Sequence, residues 1–161
     1  MQRDVRVIDL PLPVRYNLIS VDAVAIPGIG TGLHAANDQL GVQFAIPVPV
    51  YGQIRDLIYY DRDDEGTGVE IWLFRSSVVS PAGDDAAFAL GDTDLLNVEA
   101  VIPVGSFFDA VNGQVGREDA LGIDYYAPDG FLYGLVKNLA AQTIVAAPQI
   151  ALRIEPASDL K

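Results

Sequence analysis

The stretch richest in groups able to do chemistry is Tyr59-Tyr60-Asp61-Arg62-Asp63-Asp64-Glu65-Gly66, where four carboxylates fall within five positions. Oxygen ligands at alternate positions followed by glycine match the first half of an EF-hand calcium loop, whose glycine makes the sharp turn. The second half fails. The twelfth position, where a bidentate Glu should close the shell, is Trp72, and the flanking runs read as strands rather than helices. A looser calcium site in a β-loop would draw on Asp61, Asp63 and Glu65, with Glu70 or a backbone carbonyl completing the shell. The simpler expectation is no metal: a strand-to-strand turn whose carboxylates are hydrated and held in water by mutual repulsion. A polar contact with a partner chain is the third alternative.

His34 is the single histidine, with Thr31 before it and Asp38 after it. A small β-barrel hydrolase would need His34 beside a nucleophile and an acid, and such members meet only in space. The chain has no G-x-S-x-G elbow, no H-E-x-x-H helix motif and no second histidine for the usual metal triads. It also has no cysteine, which excludes disulfides, thiolate zinc sites and cysteine nucleophiles. Carboxylate pairs suited to glycoside hydrolysis carry no weight in a chain with 22 acidic residues. The expectation is a protein that is not an enzyme and takes no cofactor.

Charge narrows the partners. The formal net charge is -12, from 22 acidic and 10 basic residues, and no Lys/Arg cluster exists to displace counterions from a phosphate backbone, so nucleic acid is not expected as a partner. Arg3, Arg6 and Arg15 fall in the leading segment, whereas only Arg62, Arg75 and Arg117 are basic between Asp56 and Asp129. The N-terminus lacks the apolar core of a signal peptide, and no stretch approaches the ~20 apolar residues of a membrane span. A soluble chain with no membrane partner follows. At 161 residues with 50% hydrophobic content, there is material for one self-sufficient core.

The elements that must position these groups are short strands punctuated by Gly, Pro and Asp. Residues 14–26 read as a strand, and Pro27-Gly28-Ile29-Gly30-Thr31-Gly32 as a loop; no helix or Lys-Ser/Thr pair follows to make it a phosphate loop. From Val42 to Ile54 the chain alternates, with Val42, Phe44, Ile46, Val48 and Val50 on one face. Pro47 and Pro49 cannot donate to a ladder, so this is an edge strand or extended arm. Residues 54–60 and 69–74 are apolar on both faces, as in strands inside a sandwich or against another subunit. One or two short helices are expected in 80–100, with Asp84 or Asp85 as caps, Gly91 as a stop, and Asp92 or Thr93 opening a turn around Leu95 and Leu96. Strand returns at Val101–Val111, a Pro-Asp-Gly turn separates two aromatic runs near 128–130, and Ile150, Leu152 and Ile154 share a face of the last strand with Arg153 opposite. The fold class is all-β: an antiparallel β-sandwich, jelly-roll-like, with one or two short helices. Residues 1–30 form an extended N-terminal arm and first strand, and 31–161 a single β-sandwich domain.

The order of features resembles that of the capsid decoration (cement) proteins of tailed bacteriophages. The matching parts are the proline-containing strand Gln43–Val50, the strand Leu57–Asp61 ending in the acidic tip and Gly66, the strand Val69–Phe74, a polar stretch from Arg75, the short Asp-led helix Asp92–Val98, and the closing Ala151-Leu152-Arg153-Ile154-Glu155-Pro156 strand. The resemblance spans roughly residues 40–155, and the longer segment 1–30 departs from it. It implies a virion structural protein on the outer surface of the capsid, trimeric, with the major capsid protein and its own copies as partners, bridging capsomers to stabilise the shell. On that reading Tyr59, Tyr60, Trp72 and Phe74 are candidates for a subunit interface, with plain core packing as the alternative. Arg3, Arg6, Pro11, Pro13 and Arg15 are candidates for a capsid-contact arm adding a strand through its backbone. A calcium- or carbohydrate-binding β-sandwich module, of head-fibre or adhesin type, is the alternative function.

Overall fold

The computed structural model describes residues 18–79 and 81–157. In chain order its elements are β1 (Ile19–Ser20), β2 (Val24–Ala25), β3 (Gly32–His34), β4 (Gln39–Pro47), β5 (Tyr51–Asp61), β6 (Val69–Phe74), α1 (Asp92–Leu95), β7 (Val98–Val104), β8 (Phe107–Asp109), β9 (Gln114–Glu118), β10 (Ile123–Tyr126), β11 (Phe131–Asn138), β12 (Gln142–Ile144) and β13 (Gln149–Pro156). Every ladder among them is antiparallel. One sheet runs β1-β13-β5-β9-β8, with β2 also on β13 and β10 also on β5. The second runs β4-β11-β6-β7, and a small ribbon pairs β12 with β3.

The two large sheets face each other across one core. Ile54, Leu57, Tyr59, Ile150, Leu152 and Ile154 from the first meet Phe44, Ile46, Ile71, Leu73, Ile102, Leu132 and Val136 from the second. They alternate along their strands as period-two patterning dictates, except in β5, where the step from Ile54 to Leu57 crosses a bulge opposite Arg153 and Ile154. The fold is therefore an all-β antiparallel sandwich, as the spacing of strands and turns predicts. The Pro-Asp-Gly turn does not close a hairpin: β10 pairs with β5 and β11 with β4 and β6, so the turn carries the chain from one sheet to the other.

Three details depart from expectation. First, the face shared by Val42, Phe44, Ile46, Val48 and Val50 is incomplete, because Val42 and Val50 are exposed. β4 uses Leu40 to Phe44 where β11 uses only Val136 to Gly134, and Gly41 takes a positive φ of 67°. That bulge turns Val42 outward. β4 is nonetheless an edge strand, as its prolines require. Second, the described part of the strand expected at 14–26 is split into β1 and β2. Both ladder onto β13, so the sandwich begins before residue 30. Third, the segment 81–100 holds one short helix, Asp92–Leu95, within the one or two expected, but Gly91 is its N-cap and not a stop. Asp84 caps no helix: its carboxylate accepts from the Gly30 amide at 2.7 Å and the Gly41 amide at 2.6 Å, pinning the loop before β3 to the start of β4.

The chain between β6 and α1 explains why Val69–Phe74 is apolar on both faces. Val69, Ile71 and Leu73 enter the main core, while Phe74 and Leu135 on the outer face form a second cluster with Val78, packed by Trp72, Phe88, Leu90, Val98 and Tyr133. The protein covers the back of its own second sheet with this long connection. Asp94 of α1 is buried and accepts from the Val79 amide at 2.9 Å, which holds the cover down.

Candidate functional site

The acidic loop between β5 and β6 is divided: Asp61 and Asp63 are taken up by backbone amides, whereas Asp64 and Glu65 stay exposed as a hydrated turn requires. Asp61, the last residue of β5, is only 4% exposed. Its Oδ1 accepts from the Asp63 amide at 3.0 Å, and its Oδ2 accepts from the amides of Glu65 at 3.0 Å and Gly66 at 2.8 Å. Asp63 reaches across to the β12–β13 connection, where its carboxylate accepts from Val145 at 2.7 Å and Ala146 at 2.9 Å. Carboxylate oxygens satisfied by backbone N–H groups are charge-assisted braces. Asp64 and Glu65 stay exposed, Asp64 with a positive φ of 59°. Asp61, Asp63 and Glu65 are thus not convergent ligands, and among the described residues no group of three His, Asp or Glu side chains is placed to hold a metal ion.

The same loop ties neighbouring loops into one end of the sandwich. Gln114 of β9 donates to the Asp64 carbonyl at 3.4 Å, and the Leu139 amide donates to the Gly68 carbonyl at 3.0 Å. Beyond the braced backbone, Val111 at the tip of the β8–β9 turn, Val145 beside Asp63, and Leu33 of β3 stand 82%, 70% and 69% exposed.

His34 lies inside this end of the molecule, 3% exposed. Its Nε2 is 3.0 Å from the Gly30 carbonyl, and its Nδ1 faces Asp85 at 3.6 Å and Asp84 at 3.9 Å without a hydrogen-bond partner among the described residues. No serine or threonine hydroxyl among them bonds to either ring nitrogen. Its backbone is held by a polar cluster in which Asn138 donates to the His34 and Ala35 carbonyls and Gln142 donates to Asn138 at 2.6 Å. Through its Nε2 and its backbone carbonyl, His34 ties the loop before β3 to Asn138 of β11.

The four aromatics grouped as interface candidates separate. Tyr59 is buried in the main core, edge-on to Phe107 with centroids 6.3 Å apart. Burial pushes its phenol far above the ordinary range, with Asp61 and Asp63 adding to the shift. Phe74 is buried under the β6–α1 connection. Neither offers surface to a second subunit, which corrects that assignment for both. Tyr60 and Trp72 are half-buried; Trp72 packs on Phe88 at 5.3 Å between ring centroids and its Nε1 donates to Glu70 at 3.3 Å. The arm candidates Arg3, Arg6, Pro11, Pro13 and Arg15 lie outside the described residues.

Sequence reasoning passed over the outer face of the first sheet where β5 begins. There Tyr51 and Tyr126 stack across the strand pair, with ring centroids 4.8 Å apart and planes 17° from parallel. Gln53 donates to Asp124 at 2.8 Å and Arg55 pairs with Glu155. The signal was available as same-face alternation in Tyr51-Gly52-Gln53-Ile54-Arg55 and Asp124-Tyr125-Tyr126, but only the register of β5 on β10 brings the two rows together. Farther along the same strand Asp56 takes Arg117 at 3.5 Å and Arg153 at 3.4 Å. No protein-family model matches this chain, and no curated protein is similar to it.

Proposed function

We propose that this protein is a virion structural protein, a capsid decoration protein that binds the outer surface of a shell and stabilises it by bridging capsomers. The observation that carries the reading is the braced end of the sandwich. The carboxylates of Asp61 and Asp63 are engaged with backbone amides, the loops are tied to each other, and apolar side chains stand exposed on the tied backbone. Burying an exposed Val or Leu against a partner is favourable by about 25 cal/mol per Å². A surface already fixed in shape loses little conformational entropy on docking. Modest affinity per copy suffices when many copies act on one shell.

The resemblance in feature order supports the same role, and on it Arg3, Arg6 and Arg15 belong to the capsid-contact arm. Trimeric assembly belongs to this proposal. Its test compares shell binding by the full chain and by a chain lacking residues 1–15. The full chain binds and the truncated chain stays folded but does not. Binding retained by the truncated chain would remove the arm as anchor, and no binding by either would remove the capsid role.

A further inference from the structure

The rows on the outer face of the first sheet form a built surface at the start of β5. Strand alternation projects Tyr51, Gln53 and Arg55 from β5, and Asp124 and Tyr126 from β10. The register sets Tyr51 opposite Tyr126 and Gln53 opposite Asp124, with Glu155 of β13 flanking Gln53 on the other side. Tyr51, Gln53, Arg55, Asp124 and Glu155 line a shallow depression of about 450 Å³, within the roughly 300–1,000 Å³ of small-molecule sites. Tyr51 and Tyr126 remain 55% and 38% exposed although stacked.

We propose that this depression is a saccharide-binding site, independent of the capsid role. A pyranose has an apolar C–H face and a rim of hydroxyls that both donate and accept. The exposed Tyr51 ring supplies a flat apolar platform, and its stack on Tyr126 fixes the ring before any ligand arrives, which lowers the entropy cost of binding. One step along the same strand face, about 7 Å away, the amide of Gln53 and the carboxylate of Asp124 present paired planar donors and acceptors. Arg55 and Glu155 continue that row. A sugar ring over Tyr51 thus places its hydroxyl rim over the polar pairs. The composition discriminates against other ligands. Asp124 and Glu155 offset Arg55, so a phosphate or other anion is disfavoured.

The test is an amide NMR titration of the full chain with maltose, cellobiose, lactose and chitobiose, each at millimolar concentration, the weak-affinity range of a shallow site. At least one disaccharide is expected to shift the amides of Gly52, Gln53, Asp124 and Tyr126 saturably. Tyr51→Ala should weaken that binding about tenfold or more, with the rest of the spectrum in place as the folding control. Asp124→Ala gives a second variant that leaves the aromatic stack intact and is expected to lose affinity as well. No saturable shift with any of the four sugars, shifts confined elsewhere, or unchanged binding by both variants overturns the proposal.

Discussion

Replacing Asp61 by alanine tests whether the acidic loop is a brace or a ligand shell. The change deletes one acceptor group serving the amides of Asp63, Glu65 and Gly66 at 2.8–3.0 Å. A hydrogen bond to a charged group contributes roughly 1.5–3 kcal/mol, and a donor left unsatisfied costs about 1–3 kcal/mol. Loop amides near the surface recover part of this from water, so the expected loss is about 3 kcal/mol. For a chain of 161 residues, at roughly 2–4 °C per kcal/mol, that is a fall in Tm of about 6–12 °C. Asp61→Asn keeps one oxygen but sets an N–H₂ against at least one donor, and should lose about 1–2 kcal/mol. Asp64→Gly, at an exposed position already at φ 59°, should change stability by no more than about 0.5 kcal/mol. Urea and thermal unfolding, each in calcium and in chelator, read all three. Equal stability of Asp61→Ala and Asp64→Gly would refute the brace. So would a calcium-dependent rise in Tm that Asp61→Asn abolishes.

Other consequences follow from the packing and the buried phenols. Burial pushes the Tyr125 phenol up to about 12 from 10.0, so the fold favours its neutral form. Stability is therefore full below pH 10 and falls as pH rises from 10 toward 12, which tyrosinate absorbance and circular dichroism recorded together will show. Because the Tyr125 hydroxyl finds no partner among the described residues, Tyr125→Phe should stabilise by about 1 kcal/mol and blunt that alkaline loss; a destabilised variant would contradict it. Gly134→Ala places a methyl group 2.0 Å from the Phe44 ring and should cost about 2–3 kcal/mol in urea unfolding. Phe88→Ala uncovers Trp72, the single tryptophan. Its emission should shift to the red with a loss of about 2 kcal/mol, less than for a fully buried ring.

Much of the fold was legible because strand alternation reports directly on burial: Ile150, Leu152 and Ile154 fall inward as their spacing requires, and Pro47 marks β4 as an edge. Illegible were features set by contacts distant in sequence. The run Val69–Phe74 shows two apolar faces, but whether the second is covered by another subunit or by the chain's own connection depends on where Val78 and Phe88 land. Asp61 and Asp63 read as a hydrated tip because their types and spacing fit a turn. Their acceptors are instead taken up by amides, those of Val145 and Ala146 more than eighty positions away in the case of Asp63. The Tyr51/Tyr126 platform escaped notice for the same reason, since it is created by cross-strand register between segments that show no local motif.

The stabilisation of a shell by this chain is the central claim, and it has a direct measurement. Shells assembled from a tailed-bacteriophage major capsid protein are heated with and without saturating amounts of the full chain, and disruption is followed by light scattering, with bound copies counted by co-sedimentation. Saturable occupancy in multiples of three and a higher disruption temperature for the occupied shells are expected. A chain that stays in the supernatant, or one that binds and leaves the disruption temperature unchanged, would contradict it.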